Sequence, residues 1–162
     1  YKRQDLAALA EQEYVRSQHV PLVSFAGTPY WREVNFASNA TVRSRSLSQG
    51  AWYGLDWSLR NLVNREAAVY VYTGAIFDPE VEPRLLTEDS GYRIPDKFFK
   101  IVLTEDGRAA AFLFPQDTAV HVHHCDLRAG IEEIEALSGL DFFPAATVEV
   151  ELSLYPMLGC RS

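Results

Sequence analysis

Asp56 and Arg60 stand four residues apart in a segment of helical periodicity, so a carboxylate and a guanidinium share one side of a turn and can pair. Just upstream, Arg43 and Arg45 flank Ser44. Two cations ahead of a helix start can hold a phosphate group, because the first backbone N–H groups also point outward there. The same three residues read equally well as an ordinary polar loop. His19 offers an imidazole able to act as a general base, and it reads equally as a surface histidine beside a strand. His121, His123 and His124 form a second cluster. On a strand, His121 and His123 point the same way, which suits zinc or nickel. No third ligand stands at recognisable spacing, although His124 and Asp126 are near, and the alternative is a solvated loop beside Cys125. Cys125 and Cys160 are the two cysteines. An even count fits one disulfide in an oxidising compartment, here tying down the C-terminal tail, and two free buried thiols also fit it.

These groups need elements to position them. Asp5 to about Gln18 reads as a helix with a Leu6–Leu9–Ala10 stripe. Pro21–Phe25 and Trp31–Phe36 read as short strands around a turn at Gly27–Thr28–Pro29. Ser48 to about Glu66 is the strongest helix: Trp52, Leu55, Leu59 and Leu62 fall three or four apart, and Ser48 is placed to cap it. Ala68–Phe77 reads as a buried strand, and Phe98–Leu103 and Ala109–Phe114 as a hairpin around Thr104–Gly107. Asp126 is placed to cap a second helix over about Leu127–Leu137 that stops at Gly139. Thr147–Leu154 alternates like a half-wet strand. The sum is a single α+β domain over residues 1–162, with a mainly antiparallel sheet flanked by helices. Trp31, Trp52 and Trp57 read as packing residues rather than stacking platforms.

Composition bounds the partners. Hydrophobic residues are 48% and charged residues 23% of the chain, ordinary for a globular protein. No apolar run approaches the roughly 20 residues that span a bilayer, which argues against a membrane partner. The net charge of -7 is unevenly spread. Residues 1–65 carry eight basic and five acidic side chains, and residues 66–162 carry seven basic and seventeen acidic ones. An anionic polymer is tolerated by the front half and repelled by the back half. The chain opens at Tyr1 without a visible signal peptide, which fits a chain lacking an N-terminal part.

Several motifs occur together in order. They are Tyr72-Thr73-Gly74-Ala75-Ile76-Phe77, Ile94-Pro95-Asp96-Lys97-Phe98-Phe99-Lys100, Ala111-Phe112-Leu113-Phe114-Pro115 and Ile131 through Ser138-Gly139-Leu140-Asp141-Phe142-Phe143-Pro144. With the helix from Ser48, they resemble the DNA/RNA non-specific endonucleases, the ββα-metal (His-Me finger) nucleases, over roughly residues 14–145. The resemblance implies that fold and metal-dependent hydrolysis of phosphodiesters. Active members look like an Asp-Arg-Gly-His strand followed by a helix with a metal-binding Asn and a later Glu. The His activates water, Mg²⁺ or Mn²⁺ stabilises the leaving oxygen, and arginines neutralise phosphate.

Carried over residue by residue, the resemblance sets Ser48 on the metal-binding Asn, Asp56 on the Glu and Asn39 on a further Asn. Arg60 falls on a phosphate-facing Arg, and Val42-Arg43 on the usual Pro-Gln. Aligned through Pro21, the strand motif reads Val15-Arg16-Ser17-Gln18, with Gln18 at the base position; one deletion puts His19 there instead. The resemblance therefore implies Arg16 and either Gln18 or His19 as catalytic residues. It implies Asn39, Ser48 and Asp56 around the ion, and Arg43, Arg45 and Arg60 on phosphate. The coordinated substitutions point to a catalytically weak or inactive nuclease fold that binds nucleic acid or a protein partner, with no cofactor. The alternatives are an active Mg²⁺- or Mn²⁺-dependent endonuclease using His19, and a secreted structural or storage protein. A homodimer fits each of them. An extracellular or organellar location follows from the cysteine pair and from the family's habits.

Overall fold

The computed structural model describes residues 13–89, 91–144 and 154–161. Strand β1 (Tyr14–Gln18) pairs antiparallel with β2 (Ala40–Ser44). Helices α1 (Arg45–Gln49) and α2 (Ala51–Val63) follow. A second antiparallel sheet runs in the order β3 (Val69–Ile76), β4 (Lys97–Thr104), β5 (Ala109–Pro115). Helix α3 (Ile131–Ser138) and a short 3₁₀ turn at Tyr155–Leu158 complete the described elements. Among the described residues no helix is long and apolar enough to cross a membrane.

The two-residue period of β4 and β5 decides the layering. Phe98, Val102, Ala110, Phe112 and Phe114 face Trp52, Leu55, Leu59 and Leu62 of α2. Phe99, Ile101, Ala109 and Ala111 face Ile131 and Ile134 of α3 on the other side. The sheet is thus covered on both faces, and the period that aims Phe98 and Val102 at α2 aims Lys100 there too. Gln116, only 1% exposed, joins the two sheets. Its amide donates to the carbonyls of Val42 and Pro95 and accepts from the Ser44 N–H at 2.7 Å.

Several local expectations change. Tyr14–Gln18 is strand, not the end of a helix, because its backbone finds β2 as a partner; residues 5–12 of the expected helix lie outside the described residues. Pro21–Phe25 and Trp31–Phe36 contain 3₁₀ turns at Leu22–Ser24 and Glu33–Asn35. Leu22, Val23, Trp31 and Phe36 stay exposed, so no buried face draws those segments into a sheet. The strong helix starts earlier and is broken in two. Ser44, not Ser48, caps α1, accepting from the Leu47 N–H at 3.2 Å. The break falls at Gly50, where a Cβ would lie 2.7 Å from the Val120 carbonyl oxygen, so the crossing of that loop requires glycine. Strand β3 is present but is a sheet edge, with Tyr70, Val71 and Tyr72 exposed.

His123 and Asp126 form a capping box on a 3₁₀ turn, His124–Leu127, and α3 begins only at Ile131. Its stop at left-handed Gly139 (φ 70°) is as expected. The strand expected over Thr147–Leu154 lies, except for Leu154, outside the described residues.

Cys125 and Cys160 form a disulfide across a separation of 35 residues, holding the C-terminal turn against the core that contains α2. Closing a loop of that length stabilises a fold by about 2–4 kcal/mol through the unfolded state. Cys160→Ala is therefore expected to lower the denaturant-derived unfolding free energy by that order, and an unchanged midpoint would refute it.

Candidate functional site

Strands β1 and β2, the end of α1, the start of α2 and the 3₁₀ turn at Glu33–Asn35 enclose a cleft of about 420 Å³ lined by Arg16, Ser17, Gln18, Asn35, Arg43, Ser48, Trp52 and Asp56. A second cavity of about 510 Å³ lies on the other side of Asp56, lined by His19, Trp57, Leu59, Arg60, Val71, Thr73 and Lys100 among others. The split falls at the end of β1: Gln18, its last residue, lines the first cleft, and His19, just beyond it, lines the second. Gln18 donates its amide to the Val34 carbonyl (3.2 Å) and the Asn35 side-chain oxygen (3.3 Å). The His19 ring turns toward Phe98, with ring centroids 6.1 Å apart.

Asn39 spends its amide on backbone. It accepts from the Val20 N–H at 2.9 Å and donates to the carbonyls of Val20 (2.9 Å) and Val34 (2.8 Å). It clamps the chain after β1 and lines neither cavity. Ser48 shares a hydrogen bond with Ser17, Oγ to Oγ 3.1 Å. Asp56 does not pair with Arg60. Its Oδ1 lies 2.8 Å from Lys100 Nζ, and the exposed Arg60 guanidinium sits 5.3 Å from the Trp57 ring centre.

The Arg43–Arg45 cluster is also divided. Arg45 is exposed, whereas Arg43 is 2% exposed and lies 3.7 Å from the Trp52 ring centre and 4.9 Å from that of Phe98. It donates through Nη2 to the Gln18 carbonyl at 3.1 Å, and its Nε finds no hydrogen-bond partner among the described residues. Lys100, 1% exposed, lies 4.3 Å from the Trp52 ring centre and 3.3 Å from the His19 carbonyl oxygen. It was absent from the expected site. The signal was present, however: an ammonium group inside the apolar run Phe98-Phe99-Lys100-Ile101-Val102 needs a partner.

Charge and burial set the protonation states. Burial, then Arg43 and Lys100, pull the His19 pKa down to about 4, so the ring is neutral at neutral pH. Burial lowers Arg43 to about 9 while Asp56 opposes that shift, and the guanidinium remains charged. Lys100 is lowered by burial and held up by Asp56.

A divalent cation does not fit these residues. The Asn39 amide is committed to backbone, the Ser48 hydroxyl to Ser17 and Asp56 Oδ1 to Lys100. A buried cation borders each of the two cavities, Arg43 the first and Lys100 the second, and a hard ion needs several free oxygen ligands. His121, His123 and His124 are likewise engaged or dispersed. They lie in turns rather than on a strand, and His121 is exposed. His123, His124 and Cys125 come within 4.8 Å of one another, but Cys125 is in the disulfide, His123 Nδ1 accepts from the Cys125 N–H and His124 Nε2 meets the Leu158 carbonyl.

Residues 11–149 match the family model described as DNA/RNA non-specific endonuclease. The chain belongs to that family. It is 30% identical over 160 residues to a nuclease of Serratia marcescens, covering 91% of this chain and 60% of the relative. It is 29% identical over 123 residues to the mitochondrial endonuclease G of Bos taurus, covering 67% of this chain and 40% of that one. The chain thus spans less than two thirds of these relatives. The fold matches endonuclease G as solved in complex with the inhibitor EndoGI (TM-score 0.73, 17% identity, 86% of this chain and 63% of that one). The α+β, ββα-metal architecture expected from the motifs is therefore this protein's architecture.

Two outcomes test the site's electrostatics. Because the folded His19 binds its proton only near pH 4 and an unfolded histidine near 6.5, the unfolded state holds more protons between those values. Stability is expected to fall as pH drops through that window and to level off below it, and an NMR titration of His19 with a midpoint above 6 would contradict the assignment. Asp56→Ala, which strands the Lys100 charge, is expected to destabilise by about 3–5 kcal/mol, whereas Lys100→Met is expected to cost far less. Equal losses in denaturant melts would refute the pairing.

Proposed function

We propose that this family member binds nucleic acid along the β1 cleft and its rim and cleaves it weakly or not at all. The observation that carries this reading is the amide of Gln18 lining the cleft beside Ser48 and Asp56, while the His19 imidazole lines the other cavity. An amide takes no proton from water near neutral pH, and loss of a general base costs about 10²- to 10⁴-fold in rate. The hydrogen bonds of Asn39 and Ser48 and the ion pair of Asp56 with Lys100 add a deficit in ion capture. Arg16, Arg45 and Arg60 are exposed cations, and exposed cations attract a phosphate backbone. The acidic second half leaves a protein partner, or a second copy of the chain, as the other class of occupant. The disulfide fits an extracellular or organellar compartment.

One observation favours the second reading, a working Mg²⁺- or Mn²⁺-dependent endonuclease: His19 and Asp56 line the same cavity. Against it stands a proton affinity of about 4, too low for an efficient base at neutral pH. A structural or storage role has no observation in its favour.

Plasmid DNA and RNA incubated with Mg²⁺ or Mn²⁺, with and without chelator, test the proposal. The expected result is no chelator-sensitive cleavage above background, together with a low-salt gel shift that weakens in Arg16→Gln/Arg60→Gln. Chelator-sensitive cleavage that disappears in His19→Ala would sink the proposal, and the absence of any low-salt shift would remove nucleic acid as the partner.

A further inference from the structure

The charges around Trp52 do not balance. Asp56 faces two buried cations, and its contact at 2.8 Å is with Lys100. His19 adds no charge near neutral pH. Arg43 is left with a carbonyl acceptor, two aromatic rings and an unpartnered Nε. Buried charges in folded proteins are paired, so an excess guanidinium at a cleft wall calls for an anion. The cleft that Arg43 lines has the volume of a ligand site. Arg16, Gln18 and Ser48 line it as well.

We propose that this cleft is a metal-independent phosphate site, in which the buried Arg43 guanidinium meets the charge of a nucleic-acid phosphate directly and no divalent ion takes part. A planar guanidinium pairs with two phosphate oxygens, and the Nε of Arg43 is the donor left for one of them. Trp52 fixes the plane of Arg43 in advance, so little side-chain freedom is lost on binding. The Lys100–Asp56 pair contributes from beneath by occupying the carboxylate that would otherwise neutralise Arg43. This rests on the reading that the cleft binds nucleic acid, and it identifies the group recognised.

Thermal melts of the wild-type protein in chelator test the site, with inorganic phosphate as probe and chloride at matched ionic strength as control. The midpoint is expected to rise with phosphate and not with chloride, and Mg²⁺ alone is expected to leave it unchanged. Arg43→Gln is expected to weaken phosphate binding at least tenfold by calorimetry. Should that variant not fold, Ser48→Asp, which sets a carboxylate at the same wall, is expected to abolish the phosphate response. A shift that requires Mg²⁺, or a shift by Mg²⁺ alone, overturns the inference, as does a phosphate response surviving the folded variant.

Gel shifts with an oligonucleotide in chelator separate this inference from the reading beneath it. Binding to oligonucleotide without any phosphate response overturns the phosphate site and leaves the nucleic-acid reading standing. A phosphate response lost in the variant, with no oligonucleotide binding at low salt, removes nucleic acid as the source of the phosphate and overturns the reading on which the inference rests.

Discussion

A lysine ammonium buried in the middle of an apolar layer is the constraint around which this centre is arranged. Lys100 leaves β4 on the face that also carries Phe98 and Val102, and Asp56 of α2 meets it at 2.8 Å. Removing an ammonium from water costs several kcal/mol, and only a close counter-charge makes that tolerable. The pairing adds a polar contact to the apolar face of Trp52, Leu55, Leu59 and Leu62 that seats α2 on the sheet. It also consumes the carboxylate that faces the cleft, leaving Arg43 across Trp52 without an acid of its own.

Each further feature of the centre follows from that allocation. Two cations near His19, together with burial, strip the ring of its proton affinity, so the protein's imidazole near the centre is a poor base where it stands. Hydroxyl meets hydroxyl between Ser17 and Ser48, and the Asn39 amide holds backbone. The Asn39 amide oxygen, the Ser48 hydroxyl and Asp56 Oδ1 each meet a partner within the protein, and two buried cations make the local field positive. Such a centre suits an anion better than the ion that would activate water beside one. Packing on both faces of the sheet carries the family's fold, while what the centre does is decided by the contacts of its own side chains.

Much of the architecture was legible in the sequence because it rests on periodicity. Trp52, Leu55, Leu59 and Leu62 announced the helix over the sheet, the alternation of β4 and β5 announced the hairpin, and Gly139 announced its helix stop. The segments misread were those whose state depends on a distant partner. Tyr14–Gln18 is strand because β2 lies beside it, and Leu22–Ser24 is a 3₁₀ turn because nothing covers its apolar side chains. Gly50 divides the long helix because the backbone at Val120 crosses there, a contact 70 residues away in sequence.

For the centre itself, the sequence determined the inventory: which groups are present, which are lost from the family pattern, and that a lysine interrupts an apolar strand. Folding decided the assignments. Whether Asp56 meets Arg60 or Lys100, whether Arg43 lies in solvent or against Trp52, and whether the imidazole or the amide looks into the cleft all depend on long-range approach and desolvation. Those quantities are properties of three-dimensional neighbours, and no local pattern in a chain encodes them.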